Sequence, residues 1–196
     1  MRASCRSFSR RAAEFPHDLR SNGAVTESLL IITGTMGAGK TAVLAEASDI
    51  LALRHLVHAA IDLDGLGVAH LPSGVEQGDV MYRNLESVCK NYAALGVRQF
   101  MVARATERRA ELELVRSIVS VTKNVVCRLT ASLEVLQQRV RICEPGVLQA
   151  QFVARVAKLN AILDGARLQD FSVANENRSL SEVAHEVLFK AGWIPD

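Results

Sequence analysis

Aromatic side chains are scarce in this chain, at 5% of 196 residues, whereas hydrophobic residues make up 49%. The core must therefore be built from Val, Leu, Ile and Ala. Four cysteines (Cys5, Cys89, Cys127 and Cys143) lie far apart and form no C-x-x-C pair. That excludes a disulfide framework and suits a reduced, cytoplasmic setting. Cys127 falls inside a strand-like run and reads as a small buried hydrophobe. The net charge is only +2 and there is no long basic block, so composition points to no nucleic-acid partner. No apolar stretch approaches the ~18 residues of a membrane span, and none is expected. Histidines offer no metal-ligand spacing beyond His55-x-x-His58, which straddles a helix-to-strand turn. There is no internal repeat and no sign of a second domain. A chain of this length suits one α/β domain with a sizeable core.

What the chain does contain is a complete G-x-x-x-x-G-K-[ST] run: Gly34, Thr35, Met36, Gly37, Ala38, Gly39, Lys40 and Thr41. An apolar strand-like stretch, Leu29 to Thr33, leads into it, and an alanine-rich helical stretch follows. Strand, glycine loop and helix together form the context in which such a loop binds nucleotide. The glycines allow successive N–H groups to point at phosphates, and the helix N-terminus adds its positive end. Lys40 then supplies a charge to the β- and γ-phosphates, and the Thr41 hydroxyl supplies a magnesium ligand. A random chain of this length would match the motif about once in a hundred, before the flanking elements are required. ATP and Mg2+ are the cofactors this implies.

Five β-type runs alternate with helical stretches. The strands are expected at 29–33, 57–62, 98–104, 124–129 and 171–174. Helices are expected at 40–54, 79–95, 106–121, 132–142, 147–163 and 179–191. Near-continuous apolar strands suit a sheet covered on both faces, and the alternation implies right-handed crossovers and a parallel sheet. Ser132 can cap the fourth helix, Ser179 with Glu182 forms a capping box, and Gly96 and Gly192 follow helix ends. The first 27 residues are Arg- and Ser-rich without an apolar period. They read as a disordered tail, an organelle transit peptide or sequence upstream of the true start, and the domain is taken as 28–196.

Strand two ends in Asp62-Leu-Asp64-Gly65. With period two, both carboxylates share a face at the carboxyl edge of the sheet, where ligands bind in open α/β folds. One could take the proton of an acceptor hydroxyl while the other holds magnesium, a role open to Asp62, or binds the acceptor, a role open to Asp64. The alternative is a pair that only caps a turn. Strand three ends at Arg104 and Thr106 and has no Walker B aspartate, which argues against motor and switch ATPases. Arg104 could touch an anionic substrate; equally, Thr106 could cap a helix beside a solvated Arg104. Beyond strand four, Glu144-Pro-Gly146 breaks the helical pattern, and 141–155 reads as a lid. Of Arg139, Arg141 and Arg155, Arg139 is best placed to neutralise charge on the transferred group.

These pieces resemble the small P-loop kinases related to adenylyl-sulfate, shikimate and gluconate kinases and chloramphenicol phosphotransferase. The resemblance runs from Leu29 to about Trp193, and the phosphate loop is its most specific part. Asp62-Leu-Asp64 is similar to the substrate pair of shikimate kinases. The stretch from Tyr82 to Lys90 resembles the helix of adenylyl-sulfate kinases whose polar residues border the acceptor, which implies substrate roles for Arg83 and Asn84. The family also implies a three-layer sandwich with sheet order 2-3-1-4-5. The chain departs from it by lacking the D-G-D-N-x-R-H and F-I-S-P segments and the shikimate glycine triplet. The acceptor is therefore not carried over. The expected activity is ATP- and Mg2+-dependent phosphorylation of a hydroxyl on a small metabolite or nucleotide-like acceptor, by a monomer or homodimer. A nucleotide-binding regulator that transfers nothing is the alternative. A partner-coupled NTPase lacks support, with neither extra domain nor basic stripe.

Overall fold

The computed structural model describes residues 26–195. Apart from its last two residues, the Arg/Ser-rich tail lies outside them, as does Cys5. Five strands, β1 (Thr26–Thr33), β2 (Ala59–Asp62), β3 (Gln99–Ala103), β4 (Val121–Thr130) and β5 (Phe171–Ala174), form one parallel sheet in the order β2-β3-β1-β4-β5. Six helices accompany them: α1 (Lys40–Leu53), α2 (Gln77–Ala94), α3 (Arg109–Val119), α4 (Leu133–Cys143), α5 (Gln149–Ala166) and α6 (Leu180–Lys190). This is the expected class, sheet order and layering.

Alternation along β1 explains the layers. Leu30 and Ile32 point to one face and pack with α1 and α6, while Leu29 and Ile31 point to the other and pack with α2 and α3. All four side chains are at most 1% exposed, and each such burial is worth about 1.5–3 kcal/mol. Central position in the sheet makes the end of β1 the rigid point from which the phosphate loop springs.

Element limits shift where tertiary contacts override local pattern. Strand β4 begins three residues before the expected start because Val121 and Lys123 pair with Thr26 and Ser28. Helix α3 ends earlier, at Ser120 in the left-handed conformation. At its start Thr106 is not the cap. Its amide instead donates to Thr33 Oγ1 (3.0 Å) and its side chain is buried, so the helix begins three residues later with Arg108 at the cap position. Strand β2 loses Val57 and His58, since His55 takes a positive φ that breaks the chain out of α1. The Ser132 cap and the Ser179–Glu182 capping box both form. None of the described helices is long and apolar enough to cross a membrane.

Candidate functional site

Between Thr33 and Lys40 the chain turns in a loop that needs two left-handed glycines, Gly37 (φ 78°) and Gly39 (φ 85°). A Cβ at Gly37 would run into the carbonyl of Leu136 on α4, and one at Gly39 into the amide of Asn175. The loop is braced from three sides. Asn175 Nδ2, buried at the end of β5, donates to Ala38 O (2.8 Å). Thr35 Oγ1 donates to Val156 O in α5 (3.3 Å), and Arg139 Nη1 in α4 donates to Gly37 O (3.3 Å). Such bracing holds the backbone amides in place before any anion arrives, which reduces the ordering cost of binding. Lys40 opens α1, and its ammonium donates to Thr35 O (3.3 Å). Burial pushes its pKa below the ordinary 10.5, against the opposing pull of Asp64 and Asp62 and together with repulsion from Arg104.

The sheet order brings β2 near the start of α1, and with it Asp62. Thr41 Oγ1 donates to Asp62 Oδ2 at 2.6 Å, and the other oxygen, Oδ1, accepts from the Asp64 backbone N–H (3.1 Å). Asp62 thus both caps the turn and meets the phosphate-loop threonine. A hydroxyl and a carboxylate in contact are hard oxygen donors of the kind Mg2+ takes when it binds through one or two protein groups plus phosphates. Among the described residues there is no group of three or more His, Cys, Asp or Glu able to cage a metal alone. The pair Thr41–Asp62 fits a magnesium ion shared with a nucleotide.

Asp64 begins a 3-10 turn, Asp64–Gly67, whose carbonyls are held from α2. Asn84 Nδ2 donates to Leu66 O (2.8 Å), and Gln77 Nε2 donates to Gly67 O. Asn84 therefore grips the loop that carries Asp64. Arg83 is exposed on α2 and does not line the cleft. Arg104, just past β3, donates through Nη1 to Asp64 Oδ1 (3.0 Å) and lies against Met81 Sδ and the Tyr82 ring. Arg155, in the expected lid, pairs with Glu107 (3.2 Å). The Glu144–Pro–Gly break separates α4 from α5, and Val147 beside it is fully exposed.

A cleft of about 790 Å³ beside the glycine loop is lined by Lys40, Thr41, Asp62, Asp64 and Arg139, and by neither Arg104 nor Arg155. Val68, Val140 and Cys143 give it an apolar side. At the far end, the loop after β5 is ordered by polar contacts. Glu176 accepts from the Ser132 amide (2.7 Å) and hydroxyl (2.9 Å), and these two bonds hold its carboxyl below the usual range. Arg178 is engaged by Glu186. Asn175 is the loop-bracing side chain that sequence reasoning did not assign. The only trace of it was an amide residue at the tip of the last apolar strand.

No protein-family model matches the sequence, and no curated protein matches it. Solved structures do. A sugar kinase from Janibacter sp. HTCC2649 superposes with a TM-score of 0.60 at 16% identity, covering 87% of this chain and 96% of that one. The chain has the fold of the small P-loop kinases. Shikimate kinase from Aquifex aeolicus (TM-score 0.58, 13% identity, 84% and 96% covered) is similar in the same way. So is the APS kinase of Mycobacterium tuberculosis, solved with AMPPNP and APS (TM-score 0.56, 19% identity, 84% and 96% covered). Near-complete coverage of each P-loop kinase means that the likeness extends across the whole fold.

Proposed function

We propose that this chain is an ATP- and Mg2+-dependent phosphotransferase acting on a hydroxyl of a small metabolite or nucleotide-like acceptor. The observation that carries the reading is the 2.6 Å contact of Thr41 with Asp62, beside Lys40 and at the mouth of a braced glycine loop. The strand-three acid is missing, and Asp62 at the neighbouring strand end takes up its metal-holding task. The kinase activities of proteins with this fold support the same class.

In this reading the amides of Gly34 to Thr41 and the N-terminus of α1 hold the β- and γ-phosphates, with Lys40 completing the grip. Magnesium, held by Thr41 and Asp62, would neutralise charge on the phosphates. Asp64 Oδ2 carries no hydrogen bond among the described residues, and it receives the acceptor hydroxyl and takes its proton. The acceptor oxygen bonds to the γ-phosphorus as the bond to the bridging oxygen breaks, and that electron pair leaves with ADP. Arg139 stands beside Gly37 and offers its remaining N–H groups to the transferring group. The segment following α4 closes over the site and excludes water.

An acceptor screen by mass spectrometry with Mg-ATP tests this directly. One compound is expected to gain a phosphoryl group and to stimulate ADP formation. Nucleotide binding without turnover across the pool would leave only the regulator. Once the acceptor is found, Asp64→Asn is expected to keep Mg-ATP affinity and to lower kcat by about 10²- to 10⁴-fold, the usual worth of a positioned base. Asp62→Asn should instead raise the magnesium requirement. Unchanged turnover in both variants would remove the assignment.

A further inference from the structure

Arg104 stands out among the charged side chains next to the cleft, which it meets through Asp64. Its backbone N–H bonds to Ile32 O, which sets it beside the strand that carries the phosphate loop. Three quarters of its side chain is covered, and its charge is felt by Lys40. The guanidinium rests on the Tyr82 ring, 5.8 Å from the centroid, with Glu111 and Arg108 also near that tyrosine. Nη1 serves Asp64 and Met81, and the guanidinium also engages the Tyr82 side chain, while Nε is buried with no hydrogen-bond partner among the described residues. A buried donor left unfilled on a cation is costly and calls for an explanation. Its one ionic partner among the described residues is Asp64, whose side chain is 59% exposed, so that pairing is weak.

We infer that Arg104 reads the charge of the acceptor, and that the hydroxyl compound phosphorylated here also carries an anionic group, a carboxylate, sulfate or phosphate. This deepens the function proposed above and rests on it. On binding, the anion takes the Nη1 donor that Asp64 holds at the edge of the cleft, while Asp64 exchanges the arginine for the acceptor hydroxyl. A guanidinium suits this task because its planar fork matches an oxyanion and stays charged. A neutral hydroxyl compound leaves Arg104 on Asp64 and competes poorly. Tyr82 and Met81 hold the guanidinium in place, so that the exchange needs no movement of β3.

The experiment separates this inference from its foundation. Isotope-labelled protein is first saturated with Mg-AMPPNP, which reads the phosphate loop alone; failure at that step refutes the proposed function and the inference with it. Sulfate and acetate are then titrated as probes and followed by NMR, with acetamide as the neutral counterpart. Both anions should saturate a second site that shifts Arg104, Asp64 and Tyr82, and acetamide should not. Arg104→Gln is expected to weaken sulfate at least tenfold, and Arg104→Lys, which keeps the charge without the fork, by less. If Arg104→Gln does not fold, the lysine variant and the wild-type shifts decide the matter. The absence of a saturable second site, equal shifts by acetate and acetamide, or sulfate affinity unmoved in a folded Arg104→Gln protein would each overturn the inference.

Discussion

Replacing Asn175 by alanine tests whether the phosphate loop is held in shape from across the sheet. Its Nδ2 lies 2.8 Å from the Ala38 carbonyl, and the side chain is 7% exposed. Truncation removes this donor from Ala38 O and empties space against Gly39. A buried acceptor left without its partner costs about 1–3 kcal/mol, so a loss of about 2 kcal/mol is expected. For a domain of this size that lowers Tm by about 4–8 °C. Asn175→Asp should be worse for binding, since it sets a carboxylate oxygen against the same carbonyl next to the phosphate position. Thermal denaturation of the free protein, with calorimetry of Mg-AMPPNP binding, measures both effects. An Asn175→Ala protein that melts within about 1 °C of wild type and binds the nucleotide equally well would refute the bracing argument.

Lys40→Met should abolish Mg-nucleotide binding without lowering the Tm of the free protein at neutral pH, because burying the ammonium costs stability. The sign follows from the lowered pKa. Between the folded value and 10.5 the unfolded chain keeps a proton that the folded chain has lost, so the Lys40 contribution to stability rises with pH through that window. Above about pH 9 the buried thiols of Cys89 and Cys127, pushed up to about 12, act in the opposite direction in both proteins. Denaturant titrations at a series of alkaline pH values should therefore show wild type gaining stability relative to Lys40→Met as pH rises; a difference that stays constant or shrinks would contradict it. Gly37→Ala places a side chain at φ 78° against the Leu136 carbonyl. It should cost more than about 1 kcal/mol from the backbone conformation alone and abolish nucleotide binding, as read by melting and calorimetry. Full binding in that variant would mean that the loop has another conformation.

The phosphate loop was legible in the amino-acid sequence because its determinants are local. Lys40 and Thr41 follow Gly39 directly, and apolar runs of strand and helix length flank them. Apolar alternation likewise announced the five strands, and turn chemistry announced Ser132, Ser179 and the glycines after α2 and α6. Asp62 and Asp64 could be placed at a strand tip by period-two reasoning, although their separate tasks could not. Those depend on which strand lies beside which. The Thr41–Asp62 contact exists because β3 separates β2 from β1 and α1 turns back over them, and nothing within either segment records that order. The same holds for Arg104 on Asp64, for Asn175 under Ala38, 137 residues away, and for Arg139 on Gly37, 102 residues away. Asn84 shows another contact that the chain does not record locally: its amide reaches the Leu66 carbonyl, 18 residues away, on the loop that carries Asp64. Gly37 occupies a position that the motif leaves free, and only the approach of α4 makes a side chain there intolerable. Local backbone preference and hydrophobic period act over a few residues and are written along the chain. The partner a polar side chain finds is set by how the finished layers dock, so only the tertiary structure decided it.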